Sequence, residues 1–193
     1  MKETTPDTAT LRFCAFLRGV NVKGTNMKMA EVCSVFEKAG MQEVSSVLAS
    51  GNILFSFENN KEEGQVGKTK QELKALLEKI MSEHFGYQAF LFLKDQSEIQ
   101  PLIGNNPFTP DPAFHIYGFV GAEGLEKILL AEFEKSNKAA GEQGQIVAGN
   151  FYWRVPKGDT LGSEFGKILG RKNLKDTFTS RNLNTFEKVL KKI

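Results

Sequence analysis

The stretch VSSVLASGNILFSF, Val44 to Phe57, decides the architecture. Val44 to Leu48 and Ile53 to Phe57 are runs rich in β-formers. Between them, Ser50-Gly51-Asn52 supplies the residue types that tolerate positive φ in a tight turn. That spacing predicts two antiparallel strands joined as a hairpin. The same chemistry returns downstream: placing Ser50-Gly51-Asn52 over Ala148-Gly149-Asn150 aligns Phe55 with Trp153 and Phe57 with Val155. A second hairpin is therefore expected over Gln145 to Val155, and the two together suggest an internal duplication.

Upstream of the first hairpin, Leu11 to Leu17 is a short apolar run that reads as a strand. Met29, Val32, Cys33 and Phe36 then recur at helical spacing, ending at Gly40. Downstream, Thr69 and Glu72 form a capping box for a helix whose buried face is Leu73, Leu76, Leu77, Ile80 and Met81. Gln88 to Leu93 reads as a strand and completes the order β-α-β-β-α-β of a ferredoxin-like arrangement. Asp95 and Glu98 are placed to cap a short helix carrying Ile99, Leu102 and Ile103, and the prolines between Asn105 and Pro112 make that stretch an irregular linker.

The order resumes with a strand over Ala113 to Val120, a helix over Glu123 to Ser136 on Leu125, Ile128, Leu129 and Phe133, and the second hairpin. Leu161, Phe165, Ile168 and Leu169 share a helical face up to Gly170. A last helix is expected from about Arg181, anchored by Leu183, Phe186 and Leu190. The expected class is α+β: two ferredoxin-like halves with antiparallel sheets, residues 1–94 and 95–193, the second ending in C-terminal helices.

Composition fits this reading. Apolar residues make up 40% of the chain and phenylalanine alone contributes 16 residues, which is enough for packed layers and excludes a disordered chain. The net charge of +2 points to neither nucleic acid nor membrane. It is unevenly spread: residues 167–193 hold 8 basic and 2 acidic residues, leaving 17 basic and 21 acidic before them. Cys14 and Cys33 lack the spacing of a disulfide framework or a zinc site. With no apolar run of signal-peptide or membrane-span character, a cytoplasmic location is expected.

The segments RGVNVKGTNMKM (Arg18 to Met29), SGNILF (Ser50 to Phe55) and TSRNLNT (Thr179 to Thr185) occur in an order that resembles domain of unknown function 1697, a family of uncharacterised bacterial proteins. The resemblance covers most of the chain and implies no activity. Three positions depart from the family pattern: Lys23 stands where glycine is usual, Ala49 precedes the turn where a polar residue is common, and Leu183 replaces an aromatic residue.

Candidate ligand-binding residues lie in these segments. Arg18, Asn21 and Lys23 belong to a loop leading into a helix start, where unpaired amides and the positive dipole end favour an anion. The simpler alternative is that Gly19 and Gly24 shape this loop, Asn26 caps the helix and the charges are solvated. Ser50 and Asn52 offer a hydroxyl and an amide in the first turn, which the second turn, with Ala148, only half repeats. Arg181 and Asn182 are expected at a helix start capped by Thr179 or Ser180. An arginine there opposes the dipole, which marks either an anion site or a structural ion pair between the halves.

Other motifs carry less. Gly64 to Thr69 looks like the end of a phosphate-binding loop, but Glu62 occupies the position of its leading glycine and no strand directly precedes it. His84 and His115 read as structural histidines, no catalytic triad is visible, and neither a metal nor a cofactor is expected. The expected function is binding of a small anionic or phosphorylated ligand. The alternatives are nucleic-acid binding through the basic C-terminal region, with Phe165 and Phe178 as stacking candidates, and an interaction module with no ligand site.

Overall fold

The structure is a computed structural model that describes residues 9–20, 27–59, 69–174 and 176–193. The chain divides into two compact units, the first of residues 1–96 with 192–193 and the second of residues 97–191. In the first, strand β1 (Ala9–Arg18), helix α1 (Met29–Lys38), strands β2 (Gln42–Ser46) and β3 (Asn52–Asn59), helix α2 (Lys70–Phe85) and strand β4 (Phe90–Lys94) follow in sequence. Helix α3 (Gln96–Gly104) begins at the boundary. The second unit holds β5 (Phe114–Gly121), α4 (Leu125–Lys135), β6 (Gln143–Val147), β7 (Asn150–Pro156), α5 (Glu164–Leu169), β8 (Phe178–Asn182) and α6 (Leu183–Leu190).

Each unit is built on a four-stranded antiparallel sheet, ordered β2-β3-β1-β4 in the first and β6-β7-β5-β8 in the second. This is the ferredoxin-like arrangement twice, in an α+β fold. The registers coincide: Phe55 pairs with Phe13 as Trp153 pairs with Tyr117. Likewise Lys94 lies opposite Cys14 as Arg181 lies opposite Gly118. In each case a helix starts two residues after the basic one, at Gln96 and at Leu183.

Strand alternation and helical periodicity converge on a hydrophobic core in each unit. In the first, Phe13, Ala15 and Leu17 of β1, Ile53 and Phe55 of β3, and Leu91 and Leu93 of β4 meet Val32, Val35 and Phe36 of α1 and Leu73, Leu77 and Met81 of α2. In the second, Phe119, Phe151, Trp153, Val155 and Phe178 of the sheet meet Leu125, Leu129 and Phe133 of α4 and Phe165 and Ile168 of α5. Phe133 and Trp153 both meet the Phe165 ring edge-on at centroid distances of 5.2 Å. Each such buried ring contributes about 1.5–3 kcal/mol by leaving water.

Thr69 and Glu72 close α2 with a reciprocal capping box, the Thr69 N–H donating to the Glu72 carboxylate at 2.7 Å. Several expectations require correction. Ile128 faces outward at 51% exposure, because Leu125, Leu129 and Phe133 already fill the inward stripe of α4. Leu161 precedes the short α5, whose cap is Ser163, and is 84% exposed. The cap position of α1 is Lys28, whose side chain makes no capping bond; the expected cap, Asn26, lies outside the described residues. Phe178 to Asn182, expected to run into a helix from Arg181, is instead strand β8.

Candidate functional site

The predicted site residues fall into two groups, one in each unit. In the first unit, Arg18 ends β1 opposite Phe90 and is half-buried. The Leu17 N–H donates to the Gly51 carbonyl at 2.7 Å, so the turn lies directly against the strand end. Gly51 has φ of 73°, and a Cβ there would come within 2.6 Å of Val20 Cγ2. Asn52 is fully buried, its amide donating to the Val47 carbonyl at 2.7 Å and to Ser50 Oγ at 3.0 Å. The structure thus brings the Arg18 to Val20 segment and the Ser50 to Asn52 turn together, but Asn52 is occupied in holding the turn. Ser50 is exposed. Asn21 and Lys23 lie outside the described residues, as do Gly64 to Lys68 of the phosphate-loop look-alike.

Arg181 and Asn182 belong to the second unit. Arg181 is 8% exposed within β8, and its guanidinium donates to Thr179 Oγ1 at 2.6 Å and to the Ser180 carbonyl at 2.9 Å. Because it lies in a strand, the helix-dipole argument for an anion at Arg181 lapses. The cap of α6 is Asn182, not Thr179 or Ser180: its Oδ1 accepts from the Asn184 N–H at 3.1 Å. Helix formation starts two residues later than expected because Phe178 to Asn182 pairs residue for residue with Gly121 to Tyr117 of β5.

Asn182 also lines a cleft of about 550 Å³, formed where β5, the end of β8 and the start of α6 meet the irregular segment before β5. His115 and Tyr117 project into it from β5, Lys157 from beyond β7, and Asn184 and Glu187 from α6. The Asn182 amide contacts His115 Nδ1 at 3.0 Å. The His115 ring sits edge-on to Tyr117 at 5.9 Å, and the Tyr117 hydroxyl lies 3.3 Å from Thr160 Oγ1. Asp111, also on the lining, is spent: it pairs with Arg154 at 3.2 Å and accepts from the Ala113 N–H at 2.8 Å. Such a concavity, apolar in its walls with a few convergent polar groups, is the usual form of a small-ligand site.

Sequence reasoning singled out Asn182 but read His115 as a satisfied structural histidine. Among the described residues, only one of its ring nitrogens finds a partner. Among the described residues, Nε2 of His115 has no hydrogen-bond partner, and it is not one of the buried, unpartnered atoms, which are the hydroxyls of Tyr87 and Tyr152. The alternation of FHIYGFV was the available signal, since it puts His115 and Tyr117 on one face of β5.

Other reactive groups are quiet. Burial pushes the Cys33 thiol up, which opposes thiolate formation. His84 is exposed and lies 3.0 Å from Glu31. Among the described residues, no three His, Cys, Asp or Glu side chains gather as metal ligands, and no helix is long and apolar enough to cross a membrane.

A doubled ferredoxin-like α+β chain with a partly polar cleft in its second unit is what fold and site define. The chain belongs to the family described as Protein of unknown function (DUF1697), which matches residues 11–152. Among solved structures it is similar to the conserved bacterial protein SP0830 from Streptococcus pneumoniae. The TM-score is 0.71 at 23% identity, over 95% of this chain and 98% of that one, a likeness of fold. No curated protein matches the sequence.

Proposed function

We propose that the protein is a cytoplasmic binding protein for a small anionic or phosphorylated ligand, taken up in the second unit's cleft. The carrying observation is the convergence of His115, Asn182, Asn184 and Lys157 on one concavity of ligand size. Among the described residues the Lys157 ammonium makes no ion pair, and the Asp111 carboxylate opposite is already neutralised by Arg154. Among the described residues, Lys157 and Glu187 are the charged side chains of the lining left without an ion pair. A cytoplasmic setting suits two free cysteines. The nucleic-acid reading draws no support from aromatic stacking, since Phe165 and Phe178 are both buried in the core.

Thermal-shift screening against phosphorylated metabolites tests the proposal. A ligand that binds only the folded chain at about 100 times its Kd adds about 2.7 kcal/mol of stability. At least one phosphorylated compound should raise Tm in proportion to the logarithm of its concentration, and Lys157→Met should reduce that rise. A screen without any saturable shift would reject the proposal.

A further inference from the structure

We infer that Asn182 locks His115 with its proton on Nε2, so that His115 acts in the cleft as a hydrogen-bond donor and selects ligands presenting an unprotonated carboxylate or phosphate oxygen there. The inference rests on reading the cleft as a ligand site.

The lock follows from donor and acceptor chemistry. Asn182 Oδ1 accepts the Asn184 backbone N–H at 3.1 Å, a bond whose direction is not open to choice because a backbone N–H only donates. The other end of the amide is then NH₂, a donor with no lone pair to offer. It faces His115 Nδ1 at 3.0 Å, so Nδ1 must accept and the ring proton resides on Nε2. A proton on Nδ1 would set one N–H against another. Asn182 thus connects the cap of α6 to the tautomer of a histidine 67 residues earlier in the chain.

Nε2 is the ring atom left to meet a ligand in the cleft. His115 lines it, Nδ1 is occupied by Asn182, and among the described residues Nε2 has no partner within the protein. Lys157 supplies a charge on the same lining, while Glu187, exposed on α6, disfavours a ligand with a second anionic group on its side. Corresponding positions of the first unit carry no such pair. There the register puts Leu11 in place of His115 and Asp95 in place of Asn182.

Two substitutions separate the lock from the cap. Serine caps helices as well as asparagine, so Asn182→Ser keeps the start of α6 while releasing His115 without adding charge. Asn182→Asp keeps the cap too, but its carboxylate accepts from Nδ1–H and so turns Nε2 into an acceptor. The experiment follows the His115 ring nitrogens by NMR in the full chain, with inorganic phosphate as the probe. In the wild type the ring should be protonated at Nε2, and phosphate should shift that resonance saturably. Phosphate affinity should fall about tenfold in Asn182→Ser, the value of one hydrogen bond to a charged acceptor. It should fall further in Asn182→Asp, where the proton should appear on Nδ1, with far-UV circular dichroism unchanged in both variants.

An Nδ1-protonated ring in the free wild type overturns the lock whatever binds. Phosphate affinity unchanged in both variants overturns the selective role of His115 while leaving ligand binding in place. No saturable effect of phosphate on His115 overturns the inference, and a silent metabolite screen alongside it removes the proposed function as well.

Discussion

The two units share the register of β1 with β3 and β4 and of β5 with β7 and β8, with a bulge between Gln42 and Ser45 that β6 lacks, yet treat their Gly-Asn turns and their sheet ends differently. In the first, the turn spans Val47 to Gly51 and folds onto β1: Leu48 and Gly51 take positive φ, Leu17 bonds to Gly51, and buried Asn52 ties the loop together. In the second, Ala148 and Gly149 alone join β6 to β7, both at positive φ, and a Cβ on Gly149 would meet nothing within 4 Å. The sheet ends differ in the opposite sense. Leu11 and Asp95 of the first unit correspond to His115 and Asn182 of the second, where they line the cleft. One unit has elaborated its turn, the other its cleft, on a common scaffold.

The largest expected effect breaks or sustains the contrast between turns. Gly51→Ala combines left-handed strain with a Cβ placed 2.6 Å from Val20 Cγ2 and 3.0 Å from Leu17 Cβ. It should cost about 3 kcal/mol, strain and overpacking together. Gly149→Ala meets the strain without the clash and should cost about 1 kcal/mol. Urea unfolding of both variants measures the difference, and equal losses would mean that the first turn is not packed against β1.

A smaller effect concerns Tyr152, which occupies the position of Leu54 in the first unit; both are fully buried. Leucine needs no partner, whereas the Tyr152 hydroxyl is buried without one, and burial pushes the phenol up to about 12 from its ordinary 10.0. Tyr152→Phe should therefore stabilise the protein by about 1 kcal/mol, the cost of an unmade hydrogen bond. The shift also has a pH signature. Above pH 10 the unfolded phenol has lost its proton while the folded one retains it, so wild-type stability should decline between about pH 10 and 12. The decline should be shallower in Tyr152→Phe, as read from urea midpoints across that range. Destabilisation by the variant would show that the hydroxyl is satisfied after all.

What was legible in the sequence was local. The Gly-Asn hairpins, the Thr69 capping box and the apolar stripe of α2 are set by neighbours a few residues away, and the alignment of Phe55 with Trp153 carries the register of both sheets. Strand β8 was not legible, because Thr-Ser-Arg-Asn is cap chemistry until β5, about 60 residues earlier, supplies its partner. Of the site, Asn182 could be singled out from its motif, while its contact with His115 depends on two strands meeting across the sheet. Leu161 and Ile128 were misplaced for a related reason: periodicity continues past what the core has room to bury.

The smallest effect tests whether the second turn is merely tolerated. Ala148 sits at φ of 47° and is exposed, and its carbonyl accepts from the Asn150 amide at 3.0 Å. A two-residue turn with both residues at positive φ favours Asn-Gly, because asparagine enters the left-handed region more readily than alanine. Ala148→Asn should therefore gain about 0.5 kcal/mol, by relief of backbone strain at a site with no packing to disturb. The substitution leaves the Ala148 carbonyl and its bond from Asn150 in place, so the gain should appear in the urea midpoint with no change in the slope. A loss would mean that the methyl of Ala148 makes a contact that outweighs its strain. A gain would leave Gly51 as the turn residue whose freedom from a side chain is required by packing, and Ala148 as one whose strain is relieved by substitution alone.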